Sequence, residues 1–211
     1  MKTFRLAILL GAALSVSAFG QQWEFGAVGG GGFLNTVSVS GPGSATAGFA
    51  TGGVGGVFFG QRLYSRMSGE IHYEYLQSDL KLASGGSTTQ FSGMAHNIHY
   101  DLIVHTNRKN SPVQLFAAFG GGVKVFEGTG KEVAYQPLSQ FGYFTKTQSL
   151  KPLASVGGGV TYALSHRLFL RMEFRDFITA FPKELIAPAP GAKYGSILQD
   201  IVPMAGLDYL F

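Results

Sequence analysis

Apolar and polar positions alternate with a period of two along several stretches of this chain. In the segment 67–79, Ile71, Tyr73 and Tyr75 alternate with Glu70, His72 and Glu74. In 89–105, Ile98, Tyr100, Leu102 and Val104 alternate with Asn97, His99, Asp101 and Ile103. In 167–180, Leu168, Leu170, Met172 and Phe174 alternate with Phe169, Arg171, Glu173 and Arg175. In 197–211, Ala205, Leu207, Tyr209 and Phe211 alternate with Met204, Gly206, Asp208 and Leu210. Successive side chains of an extended strand point to opposite faces, so these patterns predict strands with one apolar and one polar side. A helix does not suit them, because Arg171, Glu173 and Arg175 would be spread around its circumference among the apolar residues.

Four further segments, 23–34, 47–60, 113–126 and 149–164, bring the expected number of strands to eight. Each segment is long enough to cross a bilayer as a tilted strand, for which roughly 9–11 residues suffice. These four carry glycine runs: Gly29 to Gly32, Gly52-Gly53 with Gly55-Gly56, Gly120 to Gly122, and Gly157 to Gly159. Glycine weakens a strand, but in a narrow barrel it lets the sheet bend and leaves room for bulky neighbours. A phosphate-cradling loop would require a helix after the glycines, and no amphipathic helix pattern follows any of them.

The connections fall into two kinds. Those at 61–66, 106–112 and 165–166 are short, whereas those at 35–46, 80–88, 127–148 and 181–196 are longer and rich in Gly, Ser, Thr or Pro. Short turns on one side and long loops on the other is the layout of an outer-membrane barrel. The expectation is therefore an all-β, eight-stranded antiparallel up-and-down transmembrane β-barrel with four extracellular loops.

Composition narrows the class. Only 13% of residues are charged, against roughly a quarter in soluble domains. No apolar run after residue 20 reaches helical spanning length, which leaves a closed barrel as the structure able to cross a bilayer. Residues 1–20 read as a cleavable secretory signal: Lys2 and Arg5, then the apolar run Leu6 to Val16, then Ala18-Phe19-Gly20. The barrel domain is expected to occupy 21–211. The formal charge of +4 is too small, and basic runs with interleaved aromatics too absent, to suggest a nucleic-acid partner. With no cysteine, disulfides and cysteine-based chemistry are excluded.

The stretch Ala205-Gly206-Leu207-Asp208-Tyr209-Leu210-Phe211 alternates, carries aromatics at 209 and 211, and ends in phenylalanine. It resembles the terminal signal that the barrel-assembly machinery reads in bacterial outer-membrane proteins, with Leu207, Tyr209 and Phe211 as its apolar positions. With the leader and the eight segments, the chain resembles the small-barrel superfamily of the outer-membrane protein A transmembrane domain. The resemblance implies a bacterial outer-membrane location, the assembly machinery as a partner during insertion, and outer-membrane lipid and lipopolysaccharide as surroundings. Relatives in that superfamily bind surfaces, modify lipid A, or have no settled role. The chain stops at Phe211, so the peptidoglycan-binding domain that follows the barrel in outer-membrane protein A is not expected here.

The inward parity collects the ionisable residues Glu24, Glu70, His72, Glu74, His99, Asp101, Lys124, Arg171, Glu173, Arg175 and Asp208, with acids and bases nearly balanced. Burying them in the lumen avoids the cost of charge facing lipid. An eight-stranded barrel is just wide enough to be filled by side chains, so the expected outcome is a polar plug of paired charges. A narrow path for small solutes that opens on rearrangement is the runner-up. A catalytic set, His72 with Glu70 and Glu74 or His99 with Asp101 beside a serine, is a third reading, but no nucleophile held by a base is discernible and the outward positions are overwhelmingly apolar. His72 and His99 fall on strands expected to be adjacent and could hold zinc with nearby carboxylates, but close ligand spacing is lacking, so no metal or cofactor is expected.

Aromatics form two expected belts at the membrane interfaces. Trp23, Phe25, Tyr64, Tyr100, Tyr162, Tyr209 and Phe211 fall near the short turns; Phe33, Phe126, Phe141, Phe144, Phe177 and Phe181 fall towards the long loops. The functional expectation is a non-enzymatic structural or surface-interaction protein acting through its loops. The third loop, with Lys131, Glu132 and the cluster Phe141, Tyr143 and Phe144, is the expected contact with an extracellular partner or carbohydrate.

Overall fold

The computed structural model describes residues 22–41, 43–106 and 111–211. The leader reading of 1–20 lies outside them. In chain order the strands are β1 (Trp23–Leu34), β2 (Thr36–Ser40), β3 (Ser44–Phe49), β4 (Gly52–Tyr64), β5 (Met67–Gln77), β6 (Leu80–Ser84), β7 (Ser87–Phe91), β8 (Gly93–His105), β9 (Val113–Gly128), β10 (Gly142–Phe144), β11 (Gln148–Ala163), β12 (Leu168–Ala180), β13 (Ile186–Pro188), β14 (Lys193–Tyr194) and β15 (Ile197–Leu210). None of the described residues forms a helix long and apolar enough to cross a membrane.

Eight of these strands close into an antiparallel barrel in the order β1-β15-β12-β11-β9-β8-β5-β4. The seam is made by the first and last strands, with Glu24 opposite Leu210 and Gly30 opposite Met204. At the turn end it is tied by Trp23 and Phe211, whose amides each donate to the other's carbonyl at 3.2 and 2.9 Å. Closure leaves no barrel edge unpaired, which is what a sheet in lipid requires.

The period-two pattern becomes the barrel's two surfaces. Phe25, Phe59, Ile71, Tyr73, Ile98, Leu115, Phe119, Val156, Phe174 and Leu207 are exposed on the outer wall, while their alternates are buried. Two expected segments begin too early. Residues 47–49 belong to β3 and 89–91 to β7, so the barrel strands start at Gly52 and Gly93. Strand β4 also runs on to Tyr64, shortening the turn that follows it.

The long connections are themselves folded. A five-stranded sheet of order β14-β2-β3-β6-β7 and a two-stranded sheet of β10 and β13 stand at the loop end of the barrel. The hairpin of β6 and β7 turns through Gly85 and Gly86, at φ values of 55° and 84°. Two consecutive left-handed positions make the tight turn whose twist matches paired strands, and glycine adopts them without strain. Val37, Val39, Ala45, Ala47, Leu80 and Leu82 supply the buried alternates of the five-stranded sheet. They join Phe49, Phe91, Phe126, Phe141, Phe144, Phe177, Phe181, Leu185, Ile186 and Leu198 in one apolar cluster that reaches into the upper lumen.

This cluster corrects the expected second aromatic belt. Phe33 does face outwards, but Phe126, Phe141, Phe144, Phe177 and Phe181 are buried in the cap. Phe126 and Phe177 lie on the inner side of the barrel wall, and Phe141, Phe144 and Phe181 within the folded loops. The turn-end belt is present on the outer surface, where Phe25, Tyr64, Tyr100, Tyr162, Tyr209 and Phe211 are exposed and Trp23 stacks on Phe59.

Candidate functional site: a charged lumen beneath an apolar cap

All eleven ionisable residues of the inward parity are buried: Glu24, Glu70, His72, Glu74, His99, Asp101, Lys124, Arg171, Glu173, Arg175 and Asp208. Glycines on the facing strands make the space they occupy. A Cβ on Gly60 would collide with Glu24 and Glu70, one on Gly157 with Arg175, and one on Gly120 with Asp101. The long side chains project from β5, β8 and β12 into room left by glycines on β4, β9 and β11.

Arg171 lies at the centre of the lower network. Its terminal nitrogens donate to both oxygens of Glu70, at 3.1 and 2.8 Å, and its Nε donates to Glu173 Oε2 at 3.0 Å. Asp208 stands 3.7 Å from Nη1. The guanidinium is sandwiched between the rings of Phe58 and Phe116, 4.4 and 4.6 Å from their centroids. A planar cation held by a carboxylate fork and two aromatic faces has its donors satisfied and its faces covered.

Arg175 is the second hub. It pairs with Asp101 through Nη1 and with Glu173 through Nε and Nη2. Ser155 Oγ donates to the other side of the cluster, at 3.3 Å from Asp101 Oδ2. Between the two arginine hubs runs a chain of imidazoles and carboxylates. His72 Nε2 is 2.9 Å from Glu70 Oε2, His99 Nε2 is 3.0 Å from Glu74 Oε1, and His99 Nδ1 is 3.0 Å from Asp101 Oδ1. Nearer the loop end Lys124 donates to Asp200 and lies 4.9 Å from the ring centroid of Phe126.

Asp200 is missing from the residues expected in the lumen, although its even parity on the last segment, shared with Asp208, marks it in the sequence. Asn97 and Ser155 share the same inner faces and are fully buried. With Asp200 counted, seven buried carboxylates among the described residues face three buried arginine and lysine side chains and two histidines. The near balance expected from sequence is therefore an acidic excess.

The catalytic arrangement does not assemble among the described residues. Ser155 meets Asp101 and not His99. Ser68 Oγ and His105 Nε2 are 3.1 Å apart, but His105 Nδ1 has no hydrogen-bond partner, so no acid orients the ring as a triad requires. On the outer wall, His96 accepts or donates at Nδ1 to Tyr73 Oη at 2.9 Å and packs edge-on against Tyr75. That outward histidine is an exception to the apolar face read from the sequence.

The third loop is divided. Lys131 and Glu132 are exposed with Val133 and Tyr135, and Glu132 Oε1 accepts from the amide of Lys146 at 2.6 Å. Tyr143 is exposed, but Phe141 and Phe144 lie in the cap core, so the cluster cannot act as a flat aromatic platform. At the C-terminus, Leu207, Tyr209 and Phe211 are exposed on the outer wall.

No protein-family model and no curated protein matches the chain. Solved structures do. Neisserial surface protein A matches with a TM-score of 0.53 at 13% identity, covering 90% of this chain and 96% of that one. The N-terminal β-barrel domain of Pseudomonas aeruginosa OprF matches with a TM-score of 0.48 at 10% identity, covering 90% and 97%. The attachment invasion locus protein Ail of Yersinia pestis, solved with the heparin analogue sucrose octasulfate, matches with a TM-score of 0.45 at 10% identity, covering 90% and 99%. The chain thus shares the barrel fold of Neisserial surface protein A.

Proposed function

We propose that the protein is a non-enzymatic resident of a bacterial outer membrane whose working surface is the folded cap at its loop end. One observation carries this reading. The lumen is occupied by buried charges, with Arg171, Arg175 and Lys124 each paired to a carboxylate, and an apolar core shared with the loop sheets lies above them. A solute path would have to break the Arg171 and Arg175 networks and also part that core. Fold alone does not assign function, so the reading rests on the filled site rather than on likeness to other barrels.

The cap's exposed face, including Lys131, Glu132, Val133 and Tyr135, is the surface offered to an extracellular partner. Loops on a rigid scaffold commonly serve this purpose. Lipid and lipopolysaccharide surround the apolar wall, and Leu207, Tyr209 and Phe211 serve the assembly machinery during insertion.

Planar-bilayer recordings of the purified protein test the proposal. The expected trace is silent. Steady openings in the wild type that disappear in Arg171→Ala would replace this reading with that of a narrow channel. An altered lipid A mass in cells expressing the protein would replace it with that of an enzyme.

A further inference from the structure

His72, Glu74 and His99 bring three ligating atoms within 4.8 Å of one another at the centre of the lumen. The spacing absent from the sequence is supplied by the pairing of β5 with β8, which sets His72 directly opposite His99 and Glu74 opposite Asn97. All four residues are buried.

The hydrogen bonding around them leaves a place for positive charge. One nitrogen of each ring is taken by a carboxylate: His72 Nε2 by Glu70 and His99 Nδ1 by Asp101, at 2.9 and 3.0 Å. The other nitrogen of each ring turns to Glu74. His72 Nδ1 is 3.7 Å from Oε1, and His99 Nε2 is 3.0 and 3.1 Å from Oε1 and Oε2. A neutral imidazole has a single N–H, and a carboxylate has none. If each neutral ring donates to its outer carboxylate, its inner nitrogen presents a lone pair to the lone pairs of Glu74. Three acceptors then meet with no proton between them. Two protons, one per ring, would resolve this. One divalent cation brings the same charge and binds all three groups at once.

We propose that His72, Glu74 and His99 form a buried site for a divalent transition-metal ion of the zinc class. Imidazole nitrogens and a carboxylate are the donors such ions take. Ligand bonds of about 2 Å place donors at most about 4 Å apart around a shared ion, so a small inward movement closes the set. Glu70 and Asp101 supply the outer carboxylates that orient metal-binding histidines through their second nitrogens. Asn97 adds an independent observation: neither its Oδ1 nor its Nδ2 has a hydrogen-bond partner, and the same is true of His72 Nδ1. The ion also reduces the acidic excess of the lumen. The two rings stack in parallel, 4.8 Å apart at 4°, so sharing an ion requires one of them to tip.

Because the site is enclosed, the ion is taken up during folding. The untagged protein is refolded into detergent with Zn2+ or with a chelator, passed over chelating resin, and assayed for bound metal. Electrophoretic mobility before and after heating, with circular dichroism, confirms that each sample is folded. The expected content of the wild type is roughly one zinc per chain, as for a closed protein site. Refolding with Co2+ is expected to give the visible absorption of a low-symmetry site. His72→Gln and His99→Gln are each expected to weaken retention by about tenfold or more, the scale at which even supporting residues act. His96→Gln, on the outer wall, is expected to leave it unchanged. Folded wild type that holds no zinc would overturn the proposal, leaving two protons as the occupants. So would folded His72→Gln and His99→Gln that retain zinc as the wild type does.

Discussion

Arg171 grips Glu70 with two parallel hydrogen bonds across 101 positions of sequence, joining β12 to β5 through the middle of the barrel. The pair does not stand alone, because Glu173 and Asp208 depend on the same guanidinium. Removing the cation would leave several buried carboxylates facing one another. Arg171→Met is expected to destabilise the barrel by about 3–5 kcal/mol, the cost of breaking a buried ion pair from one side. The double variant Arg171→Met with Glu70→Gln is expected to lose less than the sum of the single losses, since it removes both charges. Urea unfolding in lipid vesicles measures both. Additive losses would show that the two side chains do not act as a pair.

The sequence makes the barrel legible because lipid outside and charge inside write the strongest possible period-two signal. Arg171, Glu173 and Arg175 can share a face only on a strand. The same parity places Glu70, His72 and Glu74 together. It does not say which strand faces which across the lumen, so the Arg171–Glu70 fork and the Arg175–Asp101 pair are products of closure that no local pattern carries. The cap is harder to read for a different reason. Its strands are short, as β10 is with only three residues, and they lie in segments whose glycine, serine and proline content looks like that of irregular loops. Phe144 looks like a surface aromatic until the pairing of β10 with β13 turns it inwards, and Phe141, just before β10, is buried beside it, its backbone bonded to Leu138 and Ala189. Asp200 was readable, since it shares the parity of Asp208, four repeats of the pattern later on the same strand.

On the lipid-facing side, Tyr100 lies over Gly69 so closely that a Cβ at 69 would strike its hydroxyl and ring. The ring covers backbone that the glycine leaves bare, an arrangement that stabilises glycine within a sheet. Gly69→Ala is expected to displace the ring and cost about 1–3 kcal/mol, the usual range for overpacking. In a Tyr100→Ala background the same substitution is expected to cost less, because there is nothing left to displace. Equal costs in the two backgrounds, measured by urea titration, would mean that the contact carries no energy.

Glu184 anchors the cap to the barrel rim. Lys151 Nζ donates to its Oε1 and Ser149 Oγ to its Oε2, each at 2.8 Å. The Lys151 hydrogen bond, aided by that of Ser149, holds the carboxyl below its ordinary value of 4.5. A depressed folded value means that the contribution is full above the unfolded value and is lost as the pH falls below 4.5 towards the folded one. The side chain is largely exposed, so the effect is expected to be small and screened by salt. Limited proteolysis of 181–185 is expected to quicken on acidification in the wild type more than in Glu184→Gln, with the difference shrinking at high salt. Parallel pH profiles for the two proteins would remove Glu184 from the rim's acid response.

Tyr194 closes the cap from the other side. Its hydroxyl donates to the carbonyl of Phe141 at 3.0 Å, and its ring meets Phe181 edge-on with centroids 5.5 Å apart. Burial pushes its pKa from 10.0 to about 12. The folded chain therefore keeps this proton while the unfolded chain gives it up, so stability falls as the pH rises from 10.0 towards 12. Tyr194→Phe is expected to flatten that part of the profile. It is also expected to cost about 1 kcal/mol at neutral pH, the net worth of one buried hydrogen bond. The loss should lie at the low end of that scale, because the Phe141 carbonyl still accepts from the Ala189 amide at 3.2 Å. Ultraviolet titration of the folded protein should show one late-ionising tyrosine that vanishes in Tyr194→Phe. If the late class persists in the variant, another tyrosine is the protected one and Tyr194 is more open to water than the packing of β14 against β2 implies.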